Sequence, residues 1–166
     1  MPILDANSFE FISRSPEQTR RIGIRLGSLL DAQDVVCLSG DLGSGKTTLV
    51  QGIARGWGSL DAVTSPTFVL ANNYHKAGGE MMSHLDAYRI QNALEAEDLD
   101  LPAMMADGPF VVEWAERILP VLPGQHLWVN LQYLNDEQRG LVFTPHGERY
   151  QRILVSLKDA ITGGLL

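Results

Sequence analysis

Short hydrophobic runs along the chain predict the strands of a sheet. Apolar and polar residues alternate in Phe9–Ile12, which is typical of a short edge strand. Continuous apolar runs predict buried strands at Val35–Leu38 and Phe110–Val112. Further strands are predicted at Phe68–Leu70, Glu80–Leu85, Leu127–Leu131 and Leu141–Phe143. The first two of these are joined through Lys76–Gly79, a turn whose residues favour a hairpin.

Capping residues and apolar residues at helical spacing predict the helices. Ser15 is placed as an N-cap, with Pro16 at the first helical position and Gln18 completing a capping box. The helical spacing then continues through Leu30. Further helices are predicted at Thr48–Arg55, with an end at Gly56, at Asn92–Leu101 and at Arg149–Lys158. Strands that alternate with helices indicate a three-layer α/β sheet with flanking helices, and the lack of a linker or repeat predicts one domain over residues 1–166.

The charge balance argues against direct binding of nucleic acid. The chain has 13 Lys and Arg residues against 20 Asp and Glu residues, which gives a formal net charge of −7 and a pI near 5.0. A protein that binds nucleic acid directly has a basic face. The nearest approach to one is Arg20, Arg21 and Arg25 on the first helix, a set that fits a solvated surface. Any action on nucleic acid is therefore expected to pass through a partner.

Cysteine usage and the lack of long apolar runs predict a cytoplasmic protein without a membrane segment. Cys37 is the single cysteine and lies inside a predicted buried strand, so the chain has no disulfide framework. No apolar run has the length of a membrane span, and the N-terminus lacks a basic region followed by an apolar one. The scattered histidines, which lack cysteine partners, argue against a zinc site; they are His75, His84, His126 and His146.

A phosphate-binding loop at residues 40–47 is the strongest chemical signal in the chain. Its sequence, Gly-Asp-Leu-Gly-Ser-Gly-Lys-Thr, supplies the required residues Gly40, Gly45, Lys46 and Thr47. With ordinary residue usage, a chain of this length shows the pattern by chance at roughly the one per cent level. The loop follows a predicted strand and precedes a predicted helix, which is the setting that the motif requires.

Each part of this loop has a task in binding a nucleoside triphosphate. The glycines let backbone N–H groups approach a phosphate closely, and the helix N-terminus adds partial positive charge. Lys46 is expected to reach the β- and γ-phosphates, and the Thr47 hydroxyl is expected to ligate Mg²⁺. The loop therefore predicts a protein that binds a nucleoside triphosphate together with Mg²⁺.

Two acidic residues stand where a second metal ligand is expected. Asp86 follows the apolar run 81–85, and Glu113 follows Phe110–Val112. Ligands of open α/β sheets bind at the carboxyl ends of strands, and Mg²⁺ prefers oxygen ligands. The residues alone leave open which acid contacts the metal and which orients water. They also leave open whether Trp114 belongs to the core or to the site.

Several further motifs, in order along the chain, carry a resemblance to a known family. They are Gly40–Thr48, Ser65–Phe68, His84–Arg89, Val112–Trp114, Glu116–Arg117 and Arg139. With these motifs the chain resembles the TsaE family, the bacterial ATPases of tRNA threonylcarbamoyladenosine biosynthesis. The chain departs from the family pattern at Ala115, where proline is frequent, and over Asp100–Gly108, where the usual acidic and aromatic segment is missing.

The resemblance implies Mg²⁺-dependent ATP binding and hydrolysis within a larger assembly. That assembly attaches a threonylcarbamoyl group to adenosine 37 of tRNAs that read codons beginning with A. The implied partners are the transferase subunit TsaD and its paralogue TsaB, and the tRNA is implied to bind mainly to them. The ATPase is implied to reset the transferase between turnovers, an indirect role that agrees with the acidic charge balance.

The resemblance also implies roles for individual residues. Glu113 matches the acidic metal ligand that acts with Thr47, and Lys46 acts on the phosphates. Asp86 matches the catalytic acid, which orders either the attacking water or the water shell of the metal. Ser65 and Thr67 match a segment that senses the γ-phosphate, with a proline-stabilised turn as the alternative explanation. The implied nucleotide-binding residues are Asp41, Leu42, Gly43, Ser44, Gly45, Lys46, Thr47, Thr48 and Arg139.

Two other classes of protein share the phosphate-binding loop. A small-molecule kinase usually clamps the transferred phosphoryl group with several lid arginines, for which the chain offers only Arg89, Arg117 and Arg139. A regulatory GTPase needs a guanine-reading Asn/Thr-Lys-x-Asp element, and none follows Glu113. The tRNA-modification ATPase is therefore the expected function, with the kinase as the alternative.

Overall fold

One mixed sheet runs through the two ranges that the computed structural model describes, residues 7–63 and 71–163. Its strands are β1 (Phe9–Ser13), β2 (Val35–Ser39), β3 (Ala71–His75), β4 (Met81–Asp86), β5 (Phe110–Glu113), β6 (His126–Tyr133) and β7 (Arg139–His146). The α-helices in these ranges are α1 (Pro16–Gly27), α2 (Lys46–Trp57), α3 (Ala93–Glu97), α4 (Leu101–Ala106) and α5 (Glu148–Thr162). Short 3₁₀ helices lie at Ala115–Arg117 and Leu119–Val121.

Four parallel strands form the middle of the sheet. The strand order is β1-β7-β6-β2-β5-β4-β3. β2 pairs in parallel with β5 and β6, and β4 pairs in parallel with β5. The outer strands β1, β3 and β7 pair antiparallel with their neighbours. The carboxyl ends of β2, β4, β5 and β6 therefore meet at one edge, and the loops that follow them come together there.

Helices cover both faces of the sheet. Successive residues of β2 point to opposite faces: Val36 is buried with Leu49 of α2 and Leu154 of α5, and Cys37 is buried with Leu101 of α4. Burial raises the pKa of the Cys37 thiol to about 12, so this cysteine is a core residue without thiolate reactivity. The two buried layers confirm the predicted three-layer α/β fold.

The first helix begins as predicted and ends earlier. The Ser15 hydroxyl accepts a hydrogen bond from the Gln18 N–H (3.1 Å), and the Gln18 side chain accepts one from the Arg14 N–H (2.8 Å). The helix ends at Gly27 instead of Leu30, because the N–H groups of Leu29 and Leu30 bond three residues back. Leu30 is nevertheless 3% exposed. The tighter turn still brings it to the core, which explains why the apolar spacing continued past the helix.

The second helix does not end at Gly56 as predicted. It continues to Trp57, and Gly58 forms the C-cap in the left-handed region, with a φ of +108°. Gly56 is required instead for helix packing, since a Cβ atom there would lie 2.0 Å from the Ile24 carbonyl oxygen of α1. On the facing helix, a Cβ atom at Gly27 would lie 2.0 Å from the Ile53 carbonyl oxygen. Glycines on both helices thus let α1 and α2 pack backbone against backbone.

Replacing Gly27 with alanine is expected to destabilise the protein. Alanine favours a helix by about 1 kcal/mol relative to glycine. The methyl group would collide with the Ile53 backbone, however, and overpacking costs about 1–3 kcal/mol or more. The thermal midpoint should therefore fall. Gly124→Ala is the control, because a Cβ atom at Gly124 has no neighbour within 4 Å; equal midpoints in the two variants would contradict the close packing.

The ends of the remaining helices and strands also differ from the predicted ends, and each difference has a local cause. The helix predicted at Asn92–Leu101 ends already at Glu97, and a second helix that was not predicted begins at Leu101, where Asp100 caps it by accepting from the Ala103 N–H (3.3 Å). β6 and β7 are longer than predicted because they pair along their whole lengths, and α5 extends beyond both predicted ends. The predicted strand Phe68–Leu70 lies outside the described residues. Among the described helices, none is both long and apolar enough to cross a membrane.

Candidate functional site

The phosphate-binding loop lies at the carboxyl edge of the sheet, between β2 and α2. Gly40 follows the last residue of β2 with a φ of +138°, a conformation that L side chains rarely adopt. A Cβ atom at Gly40 would lie 2.2 Å from the Leu131 carbonyl oxygen of β6. Backbone conformation and the neighbouring strand therefore both require glycine here. The helix that follows begins at Lys46 and directs its first N–H groups into the loop.

The Lys46 ammonium lies inside the loop. The residue is 5% exposed, and its Nζ donates to the carbonyl oxygens of Gly40 (2.5 Å) and Asp41 (2.8 Å) and to the Ser44 hydroxyl (3.3 Å). Burial lowers the pKa of Lys46, and the nearby acids, with Glu113 the strongest of them, oppose that shift. A phosphate oxygen in the loop would carry a negative charge and would replace these neutral oxygens as the hydrogen-bond partner of the ammonium. Such a charge-assisted hydrogen bond is stronger than one to a carbonyl oxygen.

The two predicted acids lie side by side at the same edge. Asp86 and Glu113 are register partners at the carboxyl ends of β4 and β5. Glu113 is 3% exposed, and its Oε1 accepts from the Thr47 hydroxyl at 3.3 Å. Asp86 is half-buried, and its Oδ1 accepts from the Tyr88 N–H at 2.9 Å. Burial raises the pKa of Asp86 and the Glu113 charge adds to the shift, against the Tyr88 hydrogen bond.

The donors at this edge fit a Mg²⁺ ion that is shared with phosphates. The Thr47 hydroxyl and the Glu113 carboxylate, in mutual contact, are oxygen ligands, and Asp86 adds a second carboxylate beside them. Within residues 7–63 and 71–163, no group of three or more His, Cys, Asp or Glu side chains forms a metal cage. Mg²⁺ usually takes few protein carboxylates and completes its shell with phosphates and water, so this donor set suits it.

A buried polar chain behind Glu113 was missed by sequence reasoning. The fully buried His84 ring has its Nε2 atom 2.6 Å from Glu113 Oε2, and its Nδ1 atom is 2.8 Å from the Tyr74 hydroxyl. The sequence contained one indication of a role for His84. It stands two residues before the predicted site acid Asp86 on one strand, so the two side chains share a face of the sheet. The partner Tyr74 had no local signal, because it comes from β3 across the hairpin.

Trp114 packs against the core and also lies over the Lys46 ammonium of the phosphate-binding loop. Its backbone lies in the left-handed region (φ 58°, ψ 42°), which is uncommon for a bulky residue. Its ring centroid is 4.9 Å from that of Tyr88, 4.4 Å from the Lys46 ammonium and 5.7 Å from the Arg117 guanidinium. The Arg117 guanidinium lies over the Tyr88 and Trp114 rings, although Arg117 and Arg89 are both exposed. The left-handed turn after Glu113 aims the indole at the lysine.

Arg139 reaches the loop from the opposite side. It begins β7, and its Nε atom donates to the Gly43 carbonyl oxygen at 3.1 Å. Its Nη1 atom donates to the carbonyl oxygens of Asn135 (2.5 Å) and Gln138 (2.9 Å), and the guanidinium lies 4.7 Å from the centroid of the Tyr133 ring. The side chain is therefore held beside the phosphate-binding loop, and its contact with a nucleotide stays a prediction.

The structure brings most of the predicted site residues together around one cleft. The residues that line it are Leu42, Gly43, Gly45, Lys46, Thr47, Thr48, Asp86, Glu113, Trp114 and Arg139. Two predicted residues of the loop contribute differently: Ser44 is buried beneath it, and Asp41 is exposed and uses its carbonyl oxygen for Lys46. Ser65 and Thr67, predicted as a switch, lie outside the described residues.

Comparison with known proteins decides the family. The family model described as "Threonylcarbamoyl adenosine biosynthesis protein TsaE" matches residues 13–141. The chain belongs to the TsaE family. The matched range begins in β1 and ends in β7, so it contains the phosphate-binding loop, both acids and Arg139. The resemblance that the motifs predicted is therefore confirmed.

Individual TsaE proteins match over most of their lengths. A protein from Streptomyces coelicolor, named "tRNA threonylcarbamoyladenosine biosynthesis protein TsaE", is 43% identical over 144 residues, which cover 83% of this chain and 97% of that protein. The Bacillus subtilis protein of the same name is 36% identical and covers 86% of this chain and 89% of its own length. A crystal structure of YdiB from Bacillus subtilis superposes with a TM-score of 0.77 and 28% identity, covering 97% of this chain and 99% of that one.

Proposed function

We propose that this TsaE-family protein is a Mg²⁺-dependent ATPase that acts in tRNA threonylcarbamoyladenosine biosynthesis. The observation that carries the proposal is the contact of Thr47 with Glu113 at the mouth of the phosphate-binding loop. This contact joins a hydroxyl from the loop to a carboxylate from a neighbouring strand, the pair that phosphate-loop enzymes use for their metal. The names of the matched proteins supply the pathway.

The proposed chemistry divides the site between binding and water activation. The N–H groups of the loop and the Lys46 ammonium hold the phosphates of ATP, and Thr47 and Glu113 hold Mg²⁺. Bound Mg²⁺ would neutralise charge on the phosphate oxygens. Asp86 orients the attacking water, a role supported by its half-buried position beside Glu113. Arg139 is proposed to contact the nucleotide from beside Gly43.

The proposed ATPase works through partners instead of on tRNA directly. With a net charge of −7, the chain has little attraction for the tRNA backbone. We expect a TsaD-type transferase and a TsaB-type subunit to hold the tRNA, and we expect ATP binding and hydrolysis to reset the transferase in the cytoplasm. The arginines near the cleft already have partners, Arg117 over aromatic rings and Arg139 on the Gly43 carbonyl. An arginine supplied by a partner can raise the rate by about 10³–10⁵, so hydrolysis by the chain alone should be slow.

Multi-turnover modification of tRNA tests this proposal. Purified TsaD-type and TsaB-type partners, tRNA and a threonylcarbamoyl donor that is made beforehand would be combined with and without this chain. Addition of the chain with Mg²⁺–ATP should raise the number of threonylcarbamoyladenosine products per transferase above one. In the control, ADP replaces ATP, and the threonylcarbamoyl donor is again made beforehand. If the chain changes neither turnover nor partner binding, the small-molecule kinase becomes the better assignment.

A further inference from the structure

A chain of buried hydrogen bonds crosses three adjacent strands and ends at the proposed metal site. Tyr74 on β3, His84 on β4 and Glu113 on β5 are 2%, 0% and 3% exposed. The Tyr74 hydroxyl meets His84 Nδ1 at 2.8 Å, and His84 Nε2 meets Glu113 Oε2 at 2.6 Å. The sheet therefore connects the carboxylate at the cleft to a side chain on β3, one of the two edge strands of the described sheet.

The direction of these hydrogen bonds follows from the chemistry of the end group. An ionised carboxylate only accepts hydrogen bonds, so His84 Nε2 must carry the hydrogen that Glu113 Oε2 accepts. In the neutral ring, Nδ1 is then an acceptor, and the Tyr74 hydroxyl donates to it. We assign this tautomer from the network. Glu113 thus sets the ring form, and Tyr74 supports it by donating to Nδ1.

The two oxygens of Glu113 consequently have different partners. Oε2 accepts from His84 at the buried end, and Oε1 accepts from the Thr47 hydroxyl at the cleft. A glutamate side chain has three rotatable bonds, and anchoring one oxygen removes most of its freedom. The carboxylate is held with Oε1 beside the other residue that is assigned to the metal.

We propose that His84 is a positioning residue for Mg²⁺: it anchors Glu113 Oε2 so that Oε1 is offered to the ion together with the Thr47 hydroxyl, and Tyr74 stabilises the donating form of the His84 ring by donating to Nδ1. This inference rests on the proposed function, because it takes Glu113 as the metal ligand. Polar groups behind metal ligands orient them, and their loss typically lowers metal affinity or activity by about 10–100-fold.

The Mg²⁺ requirement of nucleotide binding tests the proposal with two matched variants. In His84→Gln, the side-chain amide places an N–H group near the position of Nε2, whereas in His84→Asn the shorter amide reaches only the position of Nδ1. Affinity for a nonhydrolysable ATP analogue would be measured by titration calorimetry at a series of Mg²⁺ concentrations and in EDTA. We expect His84→Asn to raise the half-saturating Mg²⁺ concentration by about 10–100-fold. His84→Gln should recover most of this loss, and affinity in EDTA should stay unchanged in both.

A purely structural role for His84 gives a different pattern. It predicts that the two variants lose thermal stability together and weaken nucleotide binding equally with and without Mg²⁺, and that result would overturn the proposal. Tyr74→Phe provides a second test that leaves His84 in place. It should shift the Mg²⁺ requirement in the same direction by a smaller factor, and an unchanged requirement would remove Tyr74 from the proposal.

The variant Glu113→Gln separates a failure of this inference from a failure of the proposed function. If its Mg²⁺ requirement equals that of the unmodified protein, Glu113 is not the metal ligand and the proposed metal site is wrong. If Glu113→Gln raises the requirement and His84→Asn does not, the metal site stands and the positioning role of His84 is wrong. A rise in both, with recovery in His84→Gln, supports both.

Discussion

Replacing Lys46 with alanine is expected to lower the affinity for Mg²⁺–ATP by about 10²–10⁴-fold. The ammonium is the buried cation inside the phosphate-binding loop, and two charge-assisted hydrogen bonds to phosphate are together worth about 3–6 kcal/mol. No backbone N–H group can replace that charge. Titration calorimetry of the full chain with Mg²⁺–ATP measures the effect, and near-normal affinity in the variant would contradict the assignment of this loop.

The control for this variant is its thermal midpoint. Lys46 also stabilises the loop itself, because its ammonium bridges the carbonyl oxygens of Gly40 and Asp41. Alanine removes these bonds, and it also removes a desolvated charge whose pKa is already lowered by burial. The two effects oppose each other, so we expect a small change in midpoint beside the large loss of affinity. Lys46→Arg keeps the charge, yet its planar guanidinium cannot fit the same three acceptors, and it should bind ATP poorly as well.

The local features of the fold were predictable because each has its own sequence signal. The capping box at Ser15, the buried strand that leads to Gly40 and the acids at the ends of β4 and β5 all depend on residues within a few positions of each other. Such signals reflect hydrogen bonding and side-chain period, which act within a single element. These signals are enough to predict the three-layer architecture. They also predict most of the cleft residues, because the phosphate-binding loop shows at which edge of the sheet the site lies.

Features that depend on contacts between distant segments were not predictable. The sequence predicts a helix end at Gly56, because a glycine after apolar helical residues is usually a C-cap. Only the approach of Ile24 from α1 explains its presence inside the helix. Similarly, His84 belongs to one of the family motifs, but the sequence gives this residue no role. Its role follows from the strand pairing, which brings Tyr74 and Glu113 to its two ring nitrogen atoms. These contacts join residues that are 10 and 29 positions apart.

Replacing Asp86 with asparagine is expected to slow ATP hydrolysis by about 10²–10⁴-fold while Mg²⁺–ATP still binds. A positioned acid or base contributes about that factor to a rate, and it acts mainly in the transition state. Asparagine keeps the size of the side chain and the acceptor for the Tyr88 N–H, so the local backbone is retained. Single-turnover hydrolysis with the partner subunits present measures the rate, and calorimetry under the same Mg²⁺ concentration measures binding.

Glu113→Gln is the matched comparison for Asp86→Asn, since each change removes one charge from neighbouring register partners. Because Glu113 contacts Thr47, its loss should weaken binding in the presence of Mg²⁺ and raise the metal requirement. Asp86→Asn should leave the requirement near that of the unmodified protein. Both variants lower hydrolysis, so the rate alone does not separate the roles. If Asp86→Asn instead raised the Mg²⁺ requirement and Glu113→Gln slowed hydrolysis at full binding, the two acids would exchange their assigned roles.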